Sequence, residues 1–148
     1  MSRDATSIMN IRRFDERDRA SLRDIFLTAR MATFHWLDTG AFKPEDFDAA
    51  TGGERIWVAE QDGTLLGFAS VWMPDNFLHS LFVHPDSRGS GAGKALLSVC
   101  IAATGGRLSL KCLCRNENAR DFYLSQGWQI RSREIGPDGD CFVMHFDS

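Results

Sequence analysis

Residues 83 to 94, Val-His-Pro-Asp-Ser-Arg-Gly-Ser-Gly-Ala-Gly-Lys, constrain the fold of this chain more than any other stretch. Mixed apolar residues from Phe77 to Val83 lead in as a strand, and an apolar, helix-favouring segment from Ala95 to Ala103 leads out. A strand, a glycine-rich turn and a helix start together aim several free backbone N–H groups at an anion. Gly89, Gly91 and Gly93 carry no Cβ, so the backbone can wrap a phosphate and take positive φ where needed. Ser90 and Ala92 fill the turn between them, and Arg88 and Lys94 flank it with positive charge directed at the same ligand. The plain alternative is a surface turn that only joins a strand to a helix.

The spacing excludes two familiar phosphate loops. Ala95 stands where the P-loop needs its magnesium-binding hydroxyl, and Gly89-Ser-Gly-Ala-Gly-Lys94 cannot be read as Gly-x-Gly-x-x-Gly. The stretch does match Arg/Gln-x-x-Gly-x-Gly/Ala, carried by Arg88, Gly91 and Gly93. With Leu81-Phe-Val-His-Pro85 before it and a helix after it, it resembles the GNAT superfamily of N-acetyltransferases. In that superfamily the loop cradles the pyrophosphate of acetyl-coenzyme A. A second stretch, Asn116-Glu-Asn-Ala-Arg-Asp-Phe-Tyr-Leu-Ser-Gln-Gly-Trp128, is similar to the family pattern Asn-x-x-Ala-x-x-Phe-Tyr-x-x-x-Gly-Phe, with Trp128 in place of the usual Phe.

The remaining chain carries no repeats, low-complexity tracts or linkers, and its 148 residues suit one domain. Ile8 to Phe14 reads as a strand, and Asp15 can cap a helix whose Leu22, Ile25, Phe26 and Ala29 share one face and which ends near Phe34. Pro44 suits the opening position of a second, short helix. Arg55 to Gln61 and Thr64 to Met73 form a hairpin at Asp62-Gly63, and Phe77 to Val83 follows a turn at Pro74-Asp75-Asn76. After the helix from Gly93 to Thr104, Arg107 to Cys114 alternates as a strand, giving a parallel βαβ unit. Asn116 to Gln126 is a helix stopped at Gly127, and Trp128 to Ile135 with Asp140 to Phe146 closes the chain as a hairpin. The order β-α-α-β-β-β-α-β-α-β-β describes an α+β sandwich with a mixed, mostly antiparallel sheet flanked by helices. It is also the GNAT order, so the resemblance runs from Ile8 to Phe146.

Composition narrows the partners. A formal charge of −3 makes no field that would gather nucleic acid or an anionic membrane, and slightly favours a basic acceptor. The longest apolar run, Ala95 to Ala103, is too short to span a bilayer, and Met-Ser-Arg-Asp-Ala-Thr-Ser lacks the apolar core of a signal peptide. The expected location is cytoplasmic. Of Cys100, Cys112, Cys114 and Cys141, one Cys-x-Cys without a second pair is poor support for a metal site, so these read as buried thiols and no metal is expected.

The resemblance implies roles for particular residues. Tyr123, the only tyrosine, falls where the family's general acid meets the thioester sulfur; its other reading is packing alone. Asn116 corresponds to the residue that steadies the pantetheine arm, and it can cap its helix as well. Backbone groups of Leu81 and Val83 are implied to bind the pantetheine and polarise the acetyl carbonyl, with the strands on either side of the cofactor splayed apart. Many members carry a carboxylate near the positions of His79 and Ser80, and this chain has none there. His79 can serve as base, because imidazole titrates near neutrality; a sheet histidine without proton transfer and a water relay are the other readings, with His35 and His84 weaker candidates. Acceptor choice is implied to rest between the first two helices, where Phe34, Trp36 and Phe42 offer an aromatic wall and Asp38, Glu45 or Asp46 a counter-charge. Those aromatics read equally well as a seal on the core edge.

The reading is an acetyl-CoA-dependent N-acetyltransferase acting on a small-molecule or peptide amine by direct transfer in a ternary complex. Its rival is a catalytically silent domain that senses acyl-CoA or binds a partner. The sequence leaves the amine, the length of the acyl group and a homodimer open.

Overall fold

A computed structural model describes residues 8–148; the expectation for the first seven residues lies outside these. The strands are β1 (Asn10–Arg13), β2 (Arg55–Gln61), β3 (Thr64–Trp72), β4 (Phe77–Val83), β5 (Arg107–Leu113), β6 (Gln129–Gly136) and β7 (Gly139–Asp147). The helices are α1 (Arg19–Thr33), α2 (Asp46–Thr51), α3 (Ala92–Ala103) and α4 (Glu117–Ser125). The predicted element order is therefore present. The second helix starts later than predicted: Pro44 lies in the turn before it rather than at its opening position.

All the strands join one sheet in the order β1-β2-β3-β4-β5-β7-β6. Every neighbour is antiparallel except β4 and β5, which are parallel because α3 carries the chain back over the sheet between them. The sheet has a core on each face. On one, Leu22, Ile25 and Phe26 of α1 and Phe47 of α2 pack on Ile56, Val58 and Phe68. The Phe26, Phe47, Phe68 and Phe82 rings meet there edge to face or tilted, with centroids 5.1 to 6.2 Å apart. On the other face, Leu96, Leu97 and Cys100 of α3 and Tyr123 of α4 pack on Leu78, Leu108, Leu110 and Met144. Each fully buried Leu or Phe contributes about 1.5–3 kcal/mol, so the two layers hold the sheet rigidly under the loops at its edge.

That rigidity matters at one place. The β4–β5 ladder contains a single register pair, Phe77 with Ser109, at the start of both strands. Beyond it the strands diverge, as expected from the sequence. The Asn116 side chain caps α4 by accepting from the Ala119 N–H at 3.3 Å, and Gly127, at φ 91°, ends it. The gap between β4 and β5 thus opens toward the N-termini of α3 and α4.

Candidate active site

The gap forms a cleft of about 650 Å³. One wall is the glycine loop. Gly89 and Gly91 have φ of 80° and 89°, and a Cβ at either would meet nothing within 4 Å. The positive φ therefore favours glycine here, rather than protein packing, and the space in front of the backbone is open to a ligand. Among the described residues the N–H groups of Gly89, Gly91, Gly93 and Lys94 have no partner, whereas the Ala92 N–H is taken by the Ser90 hydroxyl at 3.3 Å. The unpaired donors sit at the positive end of α3, beside the Arg88 and Lys94 cations, and they fit a pyrophosphate. Arg88 is also tied to α1, donating to the Thr33 hydroxyl at 3.2 Å.

The second wall is β4. The His84 N–H donates to the Leu66 carbonyl at 2.8 Å, which puts even-numbered residues at this end of the strand in register with β3. Alternation then turns the N–H and C=O groups of Leu81 and Val83 toward the gap, where β5 offers no ladder partner. Those main-chain groups can receive an extended, amide-bearing ligand as an added strand would.

Tyr123 stands on the far side, on α4. It is 9% exposed, with its ring centroid 5.4 Å from those of both Phe122 and Trp128. No described residue hydrogen-bonds its hydroxyl, yet the residue lines the cleft. Burial, with a smaller push from the Cys112 and Cys100 thiols, holds its pKa well above the usual tyrosine range. The hydroxyl therefore stays protonated at any working pH.

Most residues singled out from the sequence converge on this cleft: Leu81, Val83, Arg88, Gly89, Gly91, Ala92, Gly93, Lys94, Asn116, Tyr123 and Trp36 all line it. Ser90 is not among the lining residues and accepts from the Ala92 N–H. Phe34 does not line it; its ring packs edge-on against Trp36 at 5.6 Å and Phe82 at 6.4 Å, supporting the wall from behind. Phe42 and Asp46 are engaged elsewhere, both by Arg30, the one at 4.3 Å from the ring and the other at 3.2 Å. Asp38 caps a short turn by accepting from the Gly40 N–H.

His79 lies apart from the cleft. It opens on a shallow pocket with Glu54, Trp72, Asp75, Phe77 and Lys111. It is the extra residue of a β-bulge, since Ser80 pairs with Ser70 and Leu78 with Val71. Sequence reasoning missed two cleft residues with chemical character, Arg115 and Glu117, and rated His35 low. The Arg115 guanidinium lies 5.0 Å from the Trp36 ring centre, a cation–π contact between positions remote in sequence. It also missed Glu54, which no motif marks. Among the described residues no group of three or more His, Cys, Asp or Glu side chains is arranged to hold a metal ion. No helix among them is long and apolar enough to cross a membrane.

Comparison with known proteins agrees with this geometry. Residues 15–128 match the model of the acetyltransferase (GNAT) family. The peptidyl-lysine N-acetyltransferase YiaC of Escherichia coli is 39% identical over 83 residues, which is 56% of this chain and 56% of YiaC. The 5-NmdU N-acetyltransferase of Pseudomonas phage PaMx11 is 33% identical over 97 residues, covering 62% of this chain and 69% of the phage protein. The matched stretch thus spans a little over half the length of the first of these relatives. Among solved structures, the PaiA N-acetyltransferase of Thermoplasma acidophilum, in complex with coenzyme A, superposes with a TM-score of 0.77 at 18% identity, over 95% of this chain and 99% of that one. That likeness speaks to the fold, which is the sandwich described above. The family match extends from the cap before α1 through the glycine loop to the end of α4, and on that ground the chain belongs to the acetyltransferase (GNAT) family.

Proposed function

We propose that this protein transfers the acetyl group of acetyl-CoA to a primary amine by direct attack in a ternary complex. One observation carries the reading: loop N–H groups and a protonated Tyr123 hydroxyl that have no partner among the described residues share a single cleft with outward-turned β4 backbone groups. In this reading the glycine loop, Arg88 and Lys94 hold the pyrophosphate of the co-substrate. Leu81 and Val83 bind the pantetheine amides and polarise the thioester carbonyl through main-chain contacts, and Asn116 steadies the arm. Fixing the thioester in line with the amine supplies much of the acceleration as pre-organisation. The amine nitrogen attacks the carbonyl carbon, the C–S bond breaks, and the sulfur takes its proton from Tyr123. His79, which opens on the neighbouring pocket, takes the proton that the amine loses through a water relay, with Trp36 as the aromatic side of the acceptor mouth.

The relatives named above are N-acetyltransferases of peptidyl lysine and of 5-NmdU, which supports an amine acceptor without choosing one. Use of acetyl-CoA supports a cytoplasmic setting. The test is a screen of small amines and lysine peptides with acetyl-CoA, reading the released thiol. Turnover with at least one amine is expected. Coenzyme A binding without turnover on any amine would instead favour a sensor.

A further inference from the structure

Glu54 follows Gly52-Gly53 in the turn between α2 and β2, and its side chain is only 8% exposed. No Lys or Arg among the described residues pairs with it. The Ser70 hydroxyl, on a residue with no solvent exposure, donates to its Oε1. Its Oε2 lies 3.0 Å from Nδ1 of His79. The same Nδ1 lies 2.8 Å from the Ala50 carbonyl oxygen at the C-terminal part of α2. A carbonyl and a carboxylate oxygen are acceptors, and both converge on one ring nitrogen, so Nδ1 must carry the hydrogen. In the neutral ring, Nε2 then holds the lone pair. The His79 side chain is 46% exposed although Nδ1 faces a nearly buried acid, so the opposite edge of the ring is the accessible one.

We infer that Glu54 is a positioning residue for acetyl transfer: with the Ala50 carbonyl it holds His79 as the Nδ1–H tautomer so that Nε2 is the base, and its charge steadies the protonated ring. This rests on the assignment of His79 as the base. Because His79 lies outside the cleft, the amine proton reaches Nε2 through a water relay as the N–C bond forms. The imidazolium so produced keeps its Nδ1–H on the Glu54 carboxylate, which offsets the new charge. The proton then leaves from Nε2 to solvent through the shallow pocket. The other charged groups of that pocket are Asp75 and Lys111, and Lys111 is paired with Glu134 at 3.1 Å. Ser70 completes the arrangement by pinning the other carboxylate oxygen, which sets the plane of the acid. A carboxylate missing from β4 is thus supplied by the turn before β2.

Side-chain ¹⁵N NMR of the wild-type protein, without substrate and at a pH where its histidines are neutral, reads the tautomer directly. His79 is expected as Nδ1–H. In Glu54→Gln the Ala50 carbonyl still accepts from Nδ1–H, and the amide oxygen can face Nδ1 while its NH₂ meets the Ser70 hydroxyl oxygen, so the Nδ1–H tautomer should persist with only the carboxylate charge removed. Turnover of that variant should fall by about 10²-fold or more with coenzyme A affinity unchanged. An Nε2–H ring in the wild type, or full turnover by folded Glu54→Gln, would overturn the inference, and the wild-type measurement decides even if the variant fails to fold. His79→Ala separates the two layers. If it turns over like the wild type, His79 is not the base and Glu54 loses its role with it. If it is impaired while the wild-type ring is Nε2–H, the base stands and Glu54 alone is removed.

Discussion

Replacing Tyr123 by Phe removes one oxygen and leaves the ring between Phe122 and Trp128. Because no described residue hydrogen-bonds that oxygen, its loss orphans no protein donor or acceptor. The packing contacts at 5.4 Å on each side also persist. Folding stability should therefore change by less than about 1 kcal/mol. Turnover should respond far more. If the hydroxyl protonates the departing sulfur, its loss should cost about 10²–10⁴-fold in rate. At about 1.4 kcal/mol per tenfold, that is about 2.7–5.4 kcal/mol of transition-state stabilisation. Acetyl-CoA affinity should be almost unchanged, because the interaction forms mainly as the C–S bond breaks. Burial holds the hydroxyl protonated across the assay range, so the wild type keeps its acid at high pH. For the same reason, raising the pH should not repair the variant: more neutral amine does nothing for the leaving group. The assay is initial rate by thiol release from pH 6 to pH 10 at saturating acetyl-CoA. Calorimetry for coenzyme A and a urea melt should be run on the same preparations. Equal turnover by folded Tyr123→Phe would remove the acid from the mechanism. A stability loss of several kcal/mol would show that the hydroxyl has a structural partner after all.

Gly91→Glu should abolish coenzyme A binding in calorimetry while the protein stays folded, since the side chain would project charge into an open anion cradle at a φ of 89°; undiminished affinity would refute the loop assignment. Gly67→Ala should lose about 1–3 kcal/mol in a urea melt by overpacking, because its Cβ would stand 2.5 Å from the Phe82 oxygen and 3.0 Å from the Val83 Cα. Since those atoms belong to β4 at the cleft, a weaker affinity for coenzyme A should accompany it. Burial pushes the Cys100 thiol up to about 12 and, with a smaller contribution from Cys114, the Cys112 thiol up to about 11, from an ordinary 9.0. The folded state keeps these protons where the unfolded chain has lost them, so stability is full below about pH 9 and falls as pH rises toward those values. Cys100→Ala should flatten that alkaline fall in urea midpoints measured at successive pH values.

Much of the fold was legible because its signals are local. The strand from Arg55 to Gln61 was read to the residue, since the Asp62-Gly63 turn and the flanking alternation lie within a few positions of each other. Asn116 as a cap and Gly127 as a stop needed only the helix they bound. The glycine loop announced an anion cradle because backbone N–H geometry depends on residue type and order, and hardly on distant packing. What the sequence withheld lies between distant segments. That β7 rather than β6 pairs with β5 is set by contacts between segments far apart in the chain, which no local period marks. The Arg115–Trp36 contact joins the start of α4 to the segment after α1, and no period or spacing links them.

His79 shows the division most clearly. Its residue type alone suggested a proton acceptor near neutral pH, and its place on the fourth strand followed from the loop next to it. Which groups the ring meets was decided only when folding brought Ala50 of α2 and Glu54 of the turn after it against a bulge in β4, with the Ser70 hydroxyl on the acid. Residue chemistry and local backbone preference belong to the sequence. The partners that face Nδ1 belong to the tertiary structure, because a hydrogen bond needs atoms about 3 Å apart and only the packed sheet holds these segments at that distance.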